Sequence, residues 1–236
     1  MSFSQTTIPL TTITFPEISL RVRDGHKLRG YFGNVFREHS QLLHNHFETE
    51  AGAAPRYRYA YPLVQYKVLN GAPTLVGIAE AADLLVDLFL KIKHLDIEGR
   101  GYQVLSKHIS HQQAIIGLSD HLHTYRFETL WLGLNQKNYN EYRLSSPETQ
   151  QDILKRTLTA NILTLCEATG LNLTIEQRIM VKLHTTEPIV TNFKNAKLLG
   201  FGGMFTTNTL IPNHVGLGKS VARGFGSVVG EPNFTI

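Results

Sequence analysis

The dipeptide Asn70-Gly71 separates two apolar runs in the segment YPLVQYKVLNGAPTLVGI. Asparagine followed by glycine is the preferred pair for a two-residue type I′ turn, which requires a positive φ at both positions. The segment therefore predicts two antiparallel strands joined directly to each other. Such a hairpin is stable only when one of its faces is buried, so the elements on either side of it determine the fold.

The flanking segments supply those elements. Residues 7–14 are rich in β-branched residues and predict a strand. A helix is predicted with Asp24 as its N-cap and with apolar residues at helical spacing, namely Leu28, Phe32, Val35 and Phe36. After the hairpin, AEAADLLVDLFLKIKHL predicts a helix that ends in basic residues, and one or two further strands are expected within 95–109. The order β-α-β-β-α-β is that of a ferredoxin-like unit.

The second half of the chain predicts another mixed unit. Its clearest element is a helix with Ser146 as N-cap, Pro147 at the first position and Gly170 beyond the end. The segments LTIEQRIMVKLHTTEPIVTNF, AKLLGFGGMFTTNTLI and GFGSVV follow it and are expected to form strands. We therefore predict an α+β fold with two tandem ferredoxin-like (RRM-like) domains, at residues 1–118 and 119–236, the second of which carries a glycine-rich loop.

Composition excludes several classes of protein. With one cysteine, Cys166, the chain has neither an internal disulfide nor a cysteine-rich zinc site. The apolar run IAEAADLLVDLFL is too short and too acidic to cross a bilayer, and the first residues lack the pattern of a signal peptide. We therefore expect a cytoplasmic protein that does not associate with membranes.

Positive charge is concentrated in one region. Between residues 21 and 67 four acids oppose eight basic residues: Arg21, Arg23, Lys27, Arg29, Arg37, Arg56, Arg58 and Lys67. Such a segment is either an ordinary solvated face or a surface for a polyanion, since contacts to phosphates release condensed counterions.

The segment GLGKSVARGFGSV, residues 216–228, resembles a phosphate-binding loop only in part. A Walker A motif needs a glycine five residues before Gly218, where this chain has Asn213, and it needs a long helix after the lysine. The nucleotide-binding interpretation is therefore excluded. A glycine-rich turn that closes the last hairpin and a surface for a larger anion both remain open.

Two histidines, His44 and His46, are separated by one residue in LLHNHF, so in an extended segment they lie on the same side. This pair is compatible with metal ligation, with hydrogen-bonded core histidines, or with acid–base catalysis of RNA cleavage. Imidazole titrates near neutral pH, so one ring can accept the 2′-OH proton while the other donates to the leaving 5′-oxygen.

Several segments together resemble one known family. Gly216-Leu217-Gly218, five residues, and then Gly224-Phe225-Gly226 is similar to the C-terminal signature of the CRISPR-associated repeat-cleaving endoribonucleases of the Cas-six family. The stretches HKLRGYFGNVF, LLHNH, RYRYAYPLVQYKVLNG, FETLWLGLNQKNY and GMFTTNTLIPNHVGLGKSVARGFGSV resemble its b-type members in the same order, over roughly residues 15–229. The resemblance implies two ferredoxin-like domains. It also implies a loop whose glycines allow close approach to RNA and leave N–H groups free for phosphates.

The resemblance also implies a function and a set of site residues. The expected activity is metal-independent cleavage of CRISPR precursor RNA within each repeat by 2′-OH attack, which leaves a 2′,3′-cyclic phosphate and a 5′-OH. The expected catalytic residues are His44, His46 (the general base), Tyr57, Lys27 and Arg37. The expected RNA-binding residues are Gly216, Gly218, Lys219, Ser220, Arg223, Gly224, Gly226, Arg29, Arg56 and Arg58.

Two functional hypotheses remain open from the sequence. One is the endoribonuclease, which retains its processed guide RNA. The other is an RNA-binding subunit of a CRISPR effector complex that holds the repeat with little or no cleavage. In both cases no cofactor and no metal are expected. The expected partners are CRISPR repeat RNA and other effector-complex subunits, and the protein is expected to be a monomer or homodimer.

Overall fold

The computed structural model describes residues 4–35, 61–185, 188–193 and 196–232. It contains helices α1 Gly25–Val35, α2 Glu80–Phe89, α3 Gln136–Leu144 and α4 Pro147–Ala168. The strands are β1 Gln5–Thr14, β2 Val64–Leu69, β3 Ala72–Ile78, β4 His94–Ile97, β5 Arg100–Gln103, β6 His108–Phe127, β7 Val181–Thr185, β8 Ile189–Phe193, β9 Ala196–Gly200, β10 Gly203–Leu210 and β11 Val228–Gly230. None of the helices in these ranges is long and apolar enough to cross a membrane.

The chain divides into two compact units. The N-terminal unit comprises residues 8–114 together with 222–224, and the C-terminal unit comprises residues before 8, residues 115–221 and residues after 224. Strand β6 contributes its residues up to Ala114 to the N-terminal unit and its later residues to the C-terminal unit.

The N-terminal unit contains a sheet with the strand order β6-β1-β3-β2, in which β3 pairs antiparallel with both β1 and β2. Counted along the chain, this is the order 4-1-3-2 of a ferredoxin-like domain, with α1 after the first strand and α2 after the third. The β2–β3 turn forms as predicted: Asn70 and Gly71 have φ values of 49° and 81°. Strands β2 and β3 pair from Val64 opposite Gly77 to Leu69 opposite Ala72. The fold class predicted from the sequence is confirmed for this unit.

One face of this sheet and the two helices form the core of the N-terminal unit. From α1, Leu28 and Phe32 are almost completely buried, and Phe32 stacks on Tyr66 of β2 with ring centroids 5.8 Å apart. From α2, Leu85 and Leu88 are also buried in this cluster. Burial of these side chains provides most of the driving force for packing the helices on the sheet, at about 1.5–3 kcal/mol for each large side chain.

The end of α2 differs from the prediction. The basic residues expected in its last turn follow the helix instead, which ends at Phe89. The cation at this helix end is the ammonium of Lys107, which donates hydrogen bonds to the carbonyl oxygens of Phe89 and, at 2.7 Å, of Ile92. It also lies 4.6 Å from the centroid of the Phe89 ring. Carbonyls at a helix C-terminus lack partners within the helix, so a lysine distant in sequence satisfies them here.

The strands expected within 95–109 are also placed differently. Strands β4 and β5 do fall in this range, but they pair only with each other, as a separate two-stranded sheet. The fourth strand of the main sheet is the beginning of β6, from His108. Glu98 and Gly99, both with positive φ, form the tight β4–β5 turn that closes this additional hairpin.

The C-terminal unit has the strand order β11-β6-β10-β7, and all three pairings are antiparallel. Helix α4 begins as predicted, because the Ser146 hydroxyl accepts a hydrogen bond from the Thr149 amide at 3.4 Å and Pro147 is the first helical residue. Gly170 follows the helix with a φ of 82°. The short helix α3 is an element that the sequence did not indicate, and residues 173–180 do not form the strand expected there, which begins at Val181 instead.

The C-terminal unit repeats the 4-1-3-2 order with one difference. In the N-terminal unit, α2 connects the third strand with the fourth. In the C-terminal unit, the third strand β10 and the fourth strand β11 are connected by residues 211–227, which contain only a three-residue 3-10 helix, Val221–Arg223. The glycine-rich segment thus occupies the place of the second crossover helix.

We predict that replacement of Lys107 by methionine destabilises the protein by about 1–2 kcal/mol, because two carbonyl groups at the end of α2 lose a charged donor. Urea unfolding of Lys107→Met and wild type measures the difference. Lys93→Met is the matched control, since Lys93 is exposed and close to the same helix end. Equal losses of stability in the two variants would contradict a specific role for Lys107.

Candidate functional site

The structure describes only part of the expected site. His44, His46, Tyr57, Arg37, Arg56 and Arg58 lie outside the described residues. Within them are Lys27 and Arg29 on α1, and all seven expected RNA-binding residues of the segment 216–226. The geometry of the site is therefore that of the glycine-rich loop and of the first turns of α1.

The glycine-rich loop is closed at its base by hydrogen bonds between its two ends. Gly216 and Ser227 form an antiparallel bridge, and the Leu217 amide donates to the Gly226 carbonyl at 2.8 Å. The Val228 amide donates to the Val215 carbonyl at 3.1 Å. The loop is therefore the end of a narrow hairpin, and its tip comprises residues 218–225.

Two of the glycines are required by contacts within the C-terminal unit. At Gly218, with a φ of 90°, a Cβ atom would lie 2.7 Å from the indole Nε1 of Trp131. At Gly226, with a φ of 66°, a Cβ atom would lie 2.0 Å from the Leu217 carbonyl oxygen. Any side chain at either position would need both a strained backbone and a displaced neighbour. Packing within the protein is thus sufficient to explain these two glycines.

The backbone amides of the loop are used differently from the expectation. The Lys219 amide donates to the Leu132 carbonyl and the Gly226 amide donates to the Leu130 carbonyl, each at 2.9 Å. The Ser227 amide donates to the Thr129 hydroxyl, also at 2.9 Å. The family resemblance implies that the N–H groups of the loop are free for phosphates. For Lys219, Gly226 and Ser227 this expectation is wrong, because their N–H groups bond within the protein. They attach the loop to residues 129–132 instead.

A largely buried carboxylate connects the two ends of the loop. Glu128 Oε2 accepts hydrogen bonds from the Ser227 hydroxyl at 2.9 Å and from His214 Nδ1 at 2.8 Å. The Glu128 side chain is only 13% exposed, and His214 has a φ of 66°, which is uncommon for a residue other than glycine. The sequence gives no local signal for this network, because Glu128 is 86 residues from His214 and 99 from Ser227.

The 3-10 helix of the loop packs on the N-terminal unit, to which residues 222–224 belong. A Cβ atom at Gly25, the first residue of α1, would lie 2.8 Å from the Arg223 carbonyl oxygen. A Cβ atom at Gly224 would lie 3.3 Å from the Tyr66 carbonyl oxygen. The loop backbone thus lies directly against the start of α1 and against β2.

This packing brings together two of the expected RNA-binding residues, Arg223 of the loop and Arg29 of α1. Partial burial, together with the positive charge of Arg29, lowers the pKa of Arg223. The loop thus places two guanidinium groups of the expected RNA-binding set near each other, and a guanidinium group matches the geometry of a phosphate.

Within the tip, Lys219 and Ser220 lie directly before the 3-10 helix. The Lys219 residue is exposed, and desolvation of part of its side chain lowers its pKa. Ser220 has a φ of 57°. The turn at Ser220 thus separates the exposed lysine from the buried side chain of Val221.

Lys27, expected as a catalytic residue, lies between two carboxylates. Its ammonium is 2.8 Å from Asp24 Oδ1 and 2.8 Å from Glu98 Oε2. Hydrogen bonds to Asp24 and then to Glu98 raise the pKa of Lys27. Asp24 also accepts a hydrogen bond from the Arg21 amide at 3.0 Å, so it closes the turn before α1 instead of bonding forward into the helix as an N-cap. A lysine with a raised pKa is a weak general acid.

Comparisons with known proteins agree with this fold. The model of the Cas6b N-terminal domain matches residues 6–115, and the model of the Cas6b C-terminal domain matches residues 117–230. A protein of Methanocaldococcus jannaschii described as uncharacterized is 32% identical over 143 residues, which are 61% of this chain and 96% of that protein.

Solved structures extend the similarity over almost the whole chain. A crystal structure of Cas6b has a TM-score of 0.87 and 32% identity, covering 96% of this chain and 100% of that one. A crystal structure described as the CRISPR RNA processing endoribonuclease Cas6b has a TM-score of 0.75, 29% identity and the same coverage. A type IV Cas6 crRNA endonuclease, Csf5, has a TM-score of 0.56 with 11% identity, covering 96% of this chain and 100% of that one, and shows a likeness of fold alone.

The two domain models together span nearly the entire chain, and the 32% identical Cas6b structure is covered completely. The α+β fold of two ferredoxin-like domains and the resemblance stated from the sequence are both confirmed. The chain belongs to the Cas6b family of CRISPR RNA processing endoribonucleases.

Proposed function

We propose that the protein cleaves CRISPR precursor RNA within each repeat without a metal ion and then retains the processed guide RNA. One observation in the structure supports an RNA substrate most directly: Arg223 of the glycine-rich loop and Arg29 of α1 lie close enough for their charges to interact. Two neighbouring guanidinium groups can bind a phosphate through paired, charge-assisted hydrogen bonds. Because the chain belongs to the Cas6b family, we propose that this phosphate is part of an RNA.

The proposed reaction is an internal transesterification that consumes no water. His46 accepts the proton of the 2′-OH, the 2′-oxygen forms a bond to the adjacent phosphorus, and the bond from phosphorus to the 5′-oxygen breaks. His44, in its protonated form, donates a proton to the leaving 5′-oxygen. The products are a 2′,3′-cyclic phosphate and a 5′-OH.

Cations stabilise the additional negative charge of the pentacovalent phosphorane. Arg37 and Lys27 are the proposed candidates for this role, and Tyr57 is proposed as a further residue of the site. An arginine is a poor proton donor near neutral pH, so Arg37 acts through its charge. The remaining proposed contacts to RNA are made by Arg29, Arg56, Arg58, Lys219 and Arg223.

We also propose a division of labour along the chain. Residues 1–118 form the domain that carries the His-x-His segment, and residues 119–236 form the domain that presents the glycine-rich loop. The processed RNA is passed to, or held within, a complex with other CRISPR effector subunits. Retention after cleavage makes the same protein both an enzyme and an RNA-holding subunit.

His46→Ala is expected to reduce cleavage of the host repeat RNA at least about a hundredfold, because the 2′-OH loses its base. The affinity for the RNA should change by no more than a few-fold. Cleavage is measured in excess EDTA with end-group analysis, and His121→Ala is the control because the His121 side chain is 79% exposed. Wild-type activity that disappears in EDTA would contradict the metal-independent mechanism. Tight binding without cleavage by wild type would favour the RNA-holding subunit.

Replacement of both Lys219 and Arg223 by alanine is expected to weaken binding of the repeat RNA. It should also reduce the slope of log K against log salt by about 0.7–0.9 for each lost phosphate contact. Filter binding between about 50 and 200 mM salt measures both quantities. Lys137→Ala with Lys155→Ala is the matched double control, since both residues are exposed on the helices α3 and α4. An unchanged slope would leave the loop with a purely structural role.

Lys27→Met and Arg37→Ala separate the two candidate cations. Because the Lys27 ammonium is already paired with Asp24 and Glu98, we expect Lys27→Met to leave the single-turnover rate at saturating RNA within about threefold. Its free energy of unfolding should fall by less than about 1 kcal/mol, since the side chain is 25% exposed and its ion pairs are screened. A rate loss of about a hundredfold in a folded Lys27→Met protein would instead make Lys27 the catalytic cation.

A further inference from the structure

The sheet of the C-terminal unit has one covered face and one open face. Trp131 stacks on Phe127 of β6, with ring centroids 5.6 Å apart, and its Nε1 donates to Asn161 Oδ1 of α4 at 3.0 Å. Helix α4 therefore lies on the side of the sheet to which Phe127 points. Phe205 of β10 is completely buried on that side, with its ring 5.1 Å from that of Phe127.

Residues that alternate with Phe127 along β6 and with Phe205 along β10 point to the opposite, open face. Together with their partners on β7, they form two rows across the strands. In the first row, Met204 of β10 is opposite Arg126 of β6 on one side and His184 of β7 on the other. In the second row, Thr206 of β10 is opposite Thr124 of β6 and Lys182 of β7. We call these six residues the open sheet face.

The register and the exposure of these residues place the six side chains on one accessible side of the sheet. The hydroxyls of Thr124 and Thr206 are 3.1 Å apart. Arg126, Lys182, His184 and Met204 are exposed, and the two threonines are half-buried. Within the described part of the chain, no helix packs on this face, since its residues are accessible, whereas Tyr125, Phe127 and Phe205 on the other face are buried.

The charge of the open sheet face is positive. Lys182 and His184 stand at one end of the rows, on β7, and Arg126 stands on β6. Arg126 Nε donates to Glu231 Oε1 at 2.7 Å, yet the Arg126 side chain remains 51% exposed. The six residues themselves contain no acid. The surface thus offers two strong cations and an imidazole, with one carboxylate at its edge.

The open sheet face is also continuous with the glycine-rich loop. Immediately after the loop, Val228 pairs with Phe127 and Val229 pairs with Arg126. A row of the face therefore begins at β11, where the loop ends, and runs across β6 and β10 to β7. With about 4.8 Å between neighbouring strands, this path is about 14 Å long.

We propose that the open sheet face binds a single-stranded stretch of the RNA next to the part held by the glycine-rich loop. This inference rests on the proposed function. Lys182, His184 and Arg126 contact phosphates, while the threonine hydroxyls bond to phosphate or sugar oxygens. Met204, 41% exposed at the centre of the first row, packs against the face of a base. A flexible, polarizable thioether suits contact with different bases, so binding here tolerates sequence variation.

RNA fits this surface better than a protein partner does. The cores of protein–protein interfaces are enriched in aromatic residues and depleted in lysine. The six residues of the open sheet face include a lysine and an arginine, two threonines and no aromatic side chain other than the imidazole of His184. Cations and hydroxyls arranged beside an anion-binding loop complement a polyphosphate chain.

The test uses the full chain with His46→Ala, so that bound RNA is not cleaved. Lys182→Gln with His184→Gln is compared with Lys155→Gln, which removes an exposed lysine from α4 on the other side of the sheet. The probes are the host repeat RNA and a labelled uridine oligonucleotide of about twelve nucleotides. Binding of both is measured at several salt concentrations, and thermal unfolding confirms that each variant is folded.

We expect the double variant to bind both probes about five- to tenfold more weakly than its parent. The salt slope should decrease by about 0.7 for each lost contact to a single strand. Lys155→Gln should leave both quantities unchanged. With 4-thiouridine in the repeat RNA, crosslinked peptides should contain Lys182–His184 or Met204.

If the parent binds RNA and the double variant keeps its affinity and slope, the inference is overturned, and this face is left for a protein partner. If the parent fails to bind the repeat RNA but the uridine probe is bound and weakened as expected, the proposed function fails while the inference stands. A loss with Lys155→Gln equal to that of the double variant would also overturn it, because the effect would then come from net charge alone.

Discussion

The backbone of Gly218 lies so close to the Trp131 indole that no side chain fits between them, and the geometry of the glycine-rich loop depends on this contact. Trp131 itself stacks on the Phe127 ring and donates a hydrogen bond to Asn161, so the loop rests on a completely buried side chain of the core. The Lys219 amide then bonds to Leu132, the next residue. Glycine residues lose much conformational freedom on folding, and these contacts offset that loss by fixing the backbone of the loop.

The loop also accounts for a difference between the two units, which share the strand order 4-1-3-2. In the N-terminal unit, the connection between the third and the fourth strand along the chain contains α2, which packs on the sheet. In the C-terminal unit the same connection is the glycine-rich segment, which forms a single 3-10 turn and carries Lys219 and Arg223. A helix at this place would bury an apolar face against the sheet. A loop uses the same place to present cations, at the cost of needing the Glu128 network to hold its two ends together.

The sequence predicts those parts of the structure that depend on neighbouring residues. The Asn70-Gly71 turn and the start of α4 at Ser146 and Pro147 are confirmed, because turn and cap preferences act within a few residues. The cap of α2 by Lys107 could not be predicted, since that lysine is 18 residues from Phe89. The Glu128 network could not be predicted either, because its members meet only after the sheet has formed. In the site, the sequence identifies the loop and its basic residues, whereas the close approach of Arg29 and Arg223 requires the fold.

That approach depends on the packing of the loop backbone, because the Arg223 carbonyl lies against Gly25, where a side chain would not fit. Desolvation and then the charge of Arg29 lower the pKa of Arg223. Under the proposed function, a phosphate placed beside both arginines contacts two guanidinium groups. The proposed function therefore implies that bound RNA stabilises the folded protein by linkage, and that a processed RNA which keeps this phosphate is held by the same contacts.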